Sequence, residues 1–243
     1  MKPPDLNCDL GEHESRETRA ALMEWIDSAN IACGGHAGNL DSMKHSIDLA
    51  LEHDVRIGAH PGLCEDGGRG SAIPSPSEFV DLLEKQVLPF EQMTRDNGGR
   101  LHHIKLHGTL YHATDQLPEL AEIFLDWCSR HLLGVCIYAR SDGATTRLAH
   151  KKQLACWHEC FLDRAYEADG SLRARTFPDA LIVDPAALQL RLQRWHASGN
   201  LESHDGVMLP LPCQTFCLHS DGPHALDFAQ ITKRFFLNVL IVR

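Results

Sequence analysis

Carboxylates, imidazoles and cations that could share one reaction recur along this chain: Asp9 and Glu12, then His36, His60, Lys105 with His107, Glu159 with Asp163 and Arg164, and finally His219 with Asp221. One carboxylate and two imidazoles, from Asp9, His36 and His60, form a ligand set for a divalent ion with open positions, as metal-dependent hydrolysis requires. The same groups could instead move protons, with Asp9 or His60 as a general base tuned by burial and neighbours. Lys105 and Arg164 suit the anionic parts of a substrate, the guanidinium through its bidentate fork. No compact HxxxH or HExxH spacing marks a metal site, and any one of these histidines alone reads more readily as a hydrogen-bonded structural residue. What favours function is their shared position in the sequence.

Each group follows a short apolar, β-prone run. The runs are Leu6–Cys8, Ala29–Cys33, Val55–Ala59, Leu101–Leu106, Gly134–Ala139, Leu154–Phe161 and Thr215–Leu218. The fifth run is followed only by Ser141 and Asp142. Between the runs lie stretches with helical spacing: Arg16–Ile26, Asp41–His53, Ser77–Asn97, Leu117–His131, Gly143–His150, Pro185–Ser198 and Pro223–Phe236. Around Ser77–Asn97 the punctuation agrees, with Ser75 or Ser77 as cap, Pro76 in the first turn and Asn97-Gly98-Gly99 as stop. Strand and helix in alternation predict an α/β fold with a parallel sheet and helices outside. Seven such units suit a closed or nearly closed barrel, and an open doubly wound sheet fits the same alternation. In a barrel the C-terminal ends of all strands face one cleft, which would gather the titratable groups there. Gly34-Gly35, Gly58 and Gly108 beside those groups permit close backbone approach or simple turns.

The chain has 243 residues, 43% hydrophobic and 23% charged, enough for one core, and a single domain over residues 1–243 is expected. A formal charge of −10 without a basic patch argues against nucleic acid and anionic membrane surfaces as partners. The start Met1-Lys2-Pro3-Pro4-Asp5 has an acidic residue where a secretory peptide would be apolar, so a cytoplasmic location is expected. Nine cysteines without scaffold spacing suit reduced thiols. Cys156 with Cys160 and Cys213 with Cys217, each four residues apart in strand-like runs, are expected to share a buried face rather than hold zinc.

Six ordered motifs resemble those of the LamB/YcsF family: Asp5-Leu-Asn-Cys-Asp-Leu-Gly-Glu12, Ser28-Ala-Asn-Ile-Ala-Cys-Gly-Gly-His-Ala-Gly38, Gly58-Ala-His-Pro61, Lys105-Leu-His-Gly-Thr-Leu-Tyr111, Asp163-Arg-Ala-Tyr166 and Cys217-Leu-His-Ser-Asp221. The resemblance implies a seven-stranded parallel βα barrel similar to the polysaccharide-deacetylase fold. It implies ATP-dependent opening of 5-oxoproline to glutamate, with separate B and C subunits as partners. It further implies Asp9, His36, His60 and His107 as catalytic residues, and Asn7, Asn30, Lys105, Tyr111, Arg164, His219 and Asp221 as substrate-binding. The chain departs from the family pattern in the shortened His13-Glu-Ser-Arg-Glu17 segment, in Asp66-Gly-Gly-Arg-Gly-Ser71, and at Leu106 and Ser220. No GxxxxGK[ST] loop is present, so ATP would bind by another arrangement or on a partner. Two other readings fit the residues: a stand-alone metal-dependent amidohydrolase or deacetylase using Asp9, His36 and His60, and a non-catalytic binding paralogue. The second sits poorly with a buried polar cluster, whose desolvation costs stability.

Overall fold

The strands of this chain alternate polar and apolar residues, as in Asp5-Leu6-Asn7-Cys8-Asp9-Leu10, so each must present one face to polar partners and the other to a hydrophobic layer. A computed structural model describes residues 3–241; the first two and last two residues of the expected domain lie outside the described residues. In chain order the strands are β1 (Asp5–Leu10), β2 (Ser28–Ala32), β3 (Arg56–His60), β4 (Leu101–Ile104), β5 (Cys136–Arg140), β6 (Cys156–Phe161), the short β7 (Leu201–Glu202) and β8 (Met208–Leu209), and β9 (Thr215–His219). Strands β1 to β6 and β9 close into a parallel barrel in which β9 lies between β6 and β1, while β7 and β8 form a separate antiparallel pair. The closed barrel, rather than the open sheet, is therefore the architecture.

Leu6, Cys8, Leu10, Ala29, Ile31, Ile57, Phe216 and Leu218 are all essentially fully buried on the outer, helix-covered face. The inner face is polar, where barrels of this kind usually stack branched aliphatic residues. At the bottom, Asp5 accepts hydrogen bonds from Thr215 Oγ1 (2.6 Å), Ser28 Oγ (2.8 Å) and Arg56 Nη1 (2.7 Å). One layer up, Asn7 donates to Thr215 Oγ1 and Asn30 donates to Asn7 Oδ1, both at 2.7 Å. His103 donates Nε2–H to Asn30 Oδ1, also at 2.7 Å. Each buried polar atom in this column has a partner, which is the condition for a polar lumen to be tolerated. The top layer is the site described below.

The helices are α1 (Arg16–Met23), α2 (Leu40–Glu52), α3 (Pro76–Asp96), α4 (Gly108–Gln116), α5 (Pro118–His131), α6 (Ala144–Lys151), α7 (Pro185–Ser198) and α8 (Ala225–Ile241). Ser75 caps α3 in a reciprocal box with Glu78, with Pro76 in its first turn. The β7–β8 pair was not anticipated, the last helix runs to Ile241 rather than Phe236, and two further features depart from the sequence reading. The first helix stops at Met23, not Ile26, because Asp27 turns back so that Leu6 N–H donates to its carboxylate and its own N–H to the Leu6 carbonyl. Helix α4 was not anticipated at all, and it carries Tyr111. Between β6 and α7, residues 162–184 hold only isolated bridges, Arg164 to Leu181 and Tyr166 to Leu172.

Candidate active site

Inner-face parity puts Asp9 of β1, His60 of β3, Lys105 just past β4 and His219 of β9 in the top layer of the lumen. Asp9 Oδ1 accepts from Lys105 Nζ and from Asn30 Nδ2, both at 2.7 Å. The ammonium also lies 3.2 Å from Glu159 Oε1 and 3.0 Å from Cys217 Sγ. Burial would raise the Asp9 carboxyl, but His60 and Lys105 outweigh it and hold it well below the usual carboxylate range. Burial likewise opposes the Lys105 charge, and Asp9, Cys217 and Glu159 together hold the ammonium well above its ordinary value. The pair is thus ionised and fixed inside the barrel.

Beside it lies an imidazole cluster. Glu12 Oε1 is 2.9 Å from His36 Nε2, 3.2 Å from His107 Nδ1 and 3.8 Å from His60 Nε2. His60 Nδ1 is 2.8 Å from the Lys105 carbonyl and His107 Nε2 is 3.1 Å from the Gly67 carbonyl. Burial, only partly offset by Glu12, lowers His36 below its ordinary value and His107 to about 3. Burial would raise Glu12, and its contacts with the His107 and His36 imidazoles hold it far below the usual range instead. The loop glycines leave room for these rings: a Cβ on Gly62 would lie 2.5 Å from His36 Nδ1.

A third unit faces these two. Asp163 Oδ2 accepts from the backbone N–H of His219 and from its Nδ1, both at 2.9 Å, which leaves Nε2 pointing inward, 3.9 Å from Asp9 Oδ2. Burial would raise Asp163, but His219 outweighs it and keeps the carboxyl low, so the pair is a carboxylate orienting an imidazole.

Together these groups border a cavity of about 390 Å³ whose walls include Asp9, His60, Lys105, His107, Tyr111 and His219, with Arg69, Arg164, Arg173 and Arg175 around its mouth. Arg164 is 5% exposed, donates Nη2–H to the Arg173 carbonyl at 2.7 Å, and has no partner for Nε. Among the described residues it forms no ion pair, so this guanidinium can take an anion from the cavity. Tyr111 is buried with its hydroxyl unpartnered.

The LamB/YcsF family pattern matches residues 4–239. The chain belongs to the LamB/YcsF family. Among its relatives, the 5-oxoprolinase A subunit of Brevibacillus brevis is 36% identical over 95% of this chain and 92% of its own length. The protein of that name from Shouchella clausii is 37% identical over 96% of this chain and 94% of its own. A lactam utilization protein from Thermus thermophilus superposes with a TM-score of 0.88 at 29% identity, covering 98% of this chain and 97% of that one. The likeness to a putative cellobiose-phosphate cleavage protein of Enterococcus faecalis, with a TM-score of 0.59 at 12% identity, concerns the fold alone.

Within this LamB/YcsF barrel the residues expected at the site divide into groups. Asp9, His36, His60, Lys105, His107, Tyr111, Arg164 and His219 meet at its top. Asn7 and Asn30 do not line the cavity: both are fully buried one layer below, where Asn30 holds Asp9. Asp221 sits at the rim, 3.4 Å from both Arg69 and Arg175, and so holds two of the mouth guanidiniums. The metal set Asp9, His36 and His60 is corrected by geometry, since the ligand atoms that converge within 4.8 Å belong to Glu12, His36, His60 and His107. Asp9 also nears Cys217 and His219, but the Lys105 ammonium already sits against Asp9 and the Cys217 thiol.

All nine cysteines are free thiols. The expectation of a shared face fails for Cys213 and Cys217, because Cys213 precedes β9 whereas Cys217 faces the lumen at Lys105. The mouth residues Arg173 and Arg175 escaped the sequence reading. Their segment has no periodicity, and the only local signal is the Arg-x-Arg spacing itself. The departures after Glu12 turn out to be ordered: Glu14 accepts from Gly11 N–H at 2.7 Å and pairs with Arg19 at 2.6 Å, and Ser15 caps α1. Among the described residues no helix is long and apolar enough to cross a membrane.

Proposed function

We propose that this chain is the A subunit of a 5-oxoprolinase, opening 5-oxoproline to glutamate with ATP as co-substrate and with B and C subunits as partners, in the cytoplasm. The observation that carries the reading is one cavity with a guanidinium wall facing an oriented imidazole, in a chain 36–37% identical over nearly its full length to proteins named for that subunit.

A five-membered lactam is a resonance-stabilised amide, so opening it needs activation. The lactam oxygen takes the γ-phosphoryl group of ATP and ADP leaves. Water then adds to the activated carbon and gives a proton to His219 Nε2, which Asp163 orients. The proton passes to the ring nitrogen as the C–N bond breaks, and a second water releases phosphate from the resulting carboxyl phosphate. Arg164 holds the anionic groups of the substrate with Arg69 and Arg175 beside it, and the Lys105–Asp9 pair presents fixed charge to the reacting carbon.

The test is to assay this chain with and without its B and C subunits, on 5-oxoproline and ATP. The expected result is no turnover by the chain alone, and glutamate and phosphate in equal amounts from the reconstituted enzyme. The convergence of Glu12, His60 and His107 favours a second reading, a stand-alone metal-dependent amidohydrolase or deacetylase. Hydrolysis of an amide or N-acetyl substrate by the chain alone, with metal and without ATP, would establish that reading in place of the first.

A further inference from the structure

The hydrogen bonds of two histidines decide which of their nitrogens carry protons. A backbone carbonyl can only accept, so the 2.8 Å contact of His60 Nδ1 with Lys105 O and the 3.1 Å contact of His107 Nε2 with Gly67 O place a proton on each of those nitrogens. In the neutral rings the opposite nitrogens, His60 Nε2 and His107 Nδ1, are then bare lone pairs. They face each other at 3.0 Å, and Glu12 Oε1 lies 3.2 Å from one and 3.8 Å from the other. The three side chains are 1%, 3% and 6% exposed, so water does not screen this convergence of acceptors. Three electron-rich atoms held together in a buried space call for a cation between them.

The spacing fits a metal ion. Ligands bound at about 2.0–2.1 Å in a tetrahedron lie roughly 3.3–3.4 Å apart, and the three separations here straddle that value. Ring orientation then selects among the four candidate residues, because a bound ion lies near the plane of each imidazole that ligates it. His60 and His107 are nearly perpendicular, at 84°, so one point can lie in both planes. His36 is stacked on His107 at 3.6 Å with 5° between the rings, so an ion in the plane of one lies well outside the plane of the other. His36 therefore orients the carboxylate, donating Nε2–H to Glu12 at 2.9 Å, as outer-shell partners of metal ligands do.

We propose that Glu12, His60 and His107 form a binding site for one divalent transition-metal ion, with His36 positioning Glu12 and at least one coordination position open to the cavity that His60 and His107 line. Two imidazoles and one carboxylate select zinc, cobalt, manganese or iron(II) over magnesium or calcium. Asp9 Oδ1 is engaged by Lys105 and Asn30, and although its Oδ2 lies 3.4 Å from His60 Nε2, Asp9 falls outside this set of ligand atoms that converge within 4.8 Å, so it is not taken as a ligand. The site does not depend on which substrate occupies the cavity.

The full chain, stripped with chelator and dialysed against Co(II) or Zn(II), is expected to retain one equivalent by elemental analysis. Cobalt should show the visible absorption of a four- or five-coordinate site, and zinc should raise the thermal midpoint. Glu12→Gln and His107→Gln should each weaken binding at least about a hundredfold. His36→Gln should keep the stoichiometry and lose affinity roughly ten- to a hundredfold, and Asp9→Asn should keep it near wild type. The wild-type titration stands even where a variant fails to fold. No uptake by the folded wild-type chain would overturn the proposal and leave a shared proton as the cation. Unchanged uptake in both Glu12→Gln and His107→Gln would also overturn it, as would loss of uptake in Asp9→Asn with retention in Glu12→Gln.

Discussion

A histidine acts as a directed base only when one of its nitrogens is committed elsewhere, and Asp163 commits Nδ1 of His219. Removal of the ring in His219→Ala should lower kcat of the reconstituted enzyme by about a hundredfold or more, the lower range for loss of a positioned acid or base. Asp163→Asn keeps the shape but offers Nδ1 an amide, which permits the other tautomer. Its expected signature is a fall in kcat of at least roughly tenfold with KM for 5-oxoproline little changed. Arg164→Ala should do the reverse and raise KM more than it lowers kcat, because its guanidinium binds ground state and transition state alike. Steady-state kinetics on the three variants checks the assignment, and unchanged kcat in both His219→Ala and Asp163→Asn would remove the dyad from the mechanism. The sequence named His219 as a substrate contact and Asp163 only as a neighbour of Arg164. Their pairing was not legible, since they lie 56 residues apart and meet only because β6 and β9 are adjacent.

Elements place these groups by parity and by close approach. In β3, Gly58 pairs with His103 of β4, and a Cβ at Gly58 would lie 2.0 Å from His103 Nε2. The clash is with a ring fixed at 2.7 Å to Asn30, which itself holds Asp9, so it cannot swing away cheaply. Gly58→Ala should therefore cost about 2–3 kcal/mol, in the upper range for overpacking. Removing the ring in Gly58→Ala/His103→Ala should recover part of that loss relative to the sum of the single changes. Urea unfolding of the three variants measures the coupling, and additive costs would mean that the ring is not what excludes a side chain at Gly58. Much of the element list was legible, because seven apolar runs became the seven barrel strands and α7 runs over Pro185–Ser198 as read. Helix α4 was not legible: its nine residues follow directly on the loop after β4 and have a weak apolar stripe.

The whole molecule carries buried titratable groups whose combined effect is acid sensitivity. Burial, assisted by Arg56 and Arg100, lowers His102 to about 4, and burial holds His103 well below its ordinary value. The unfolded chain takes up protons at such imidazoles near pH 6.5 and the folded chain does not, so stability falls as pH drops below about 6.5. Asp5 acts in the opposite sense. Burial raises its carboxyl from 3.8 to about 6, so its contribution is fully present below pH 3.8 and is lost as pH rises through 6. Between pH 7 and 4.5 it offsets about 2 kcal/mol of the loss from the histidines. Denaturant midpoints should fall on acidification from pH 7 to 4.5 in the wild type, and should fall further in Asp5→Asn. Equal pH slopes for the two proteins would show that Asp5 titrates normally in the fold.

By itself the sequence determined the residue types, the alternation of strands and helices, and the end of the barrel at which the titratable groups collect. These follow from local periodicity, since an apolar run followed by a polar loop has the same direction in every βα unit. The tertiary structure decided how those groups are used. Barrel closure between β1 and β9 sets Asp9 opposite His219, Lys105 takes up Asp9 Oδ1, and Glu12 is the carboxylate brought against both His107 and His60. The carbonyls of Lys105 and Gly67 fix which nitrogens of those rings are bare, and stacking turns His36 aside. Proton placement and ring plane depend on partners that are remote in the chain and near in space, and no local pattern of residues encodes them.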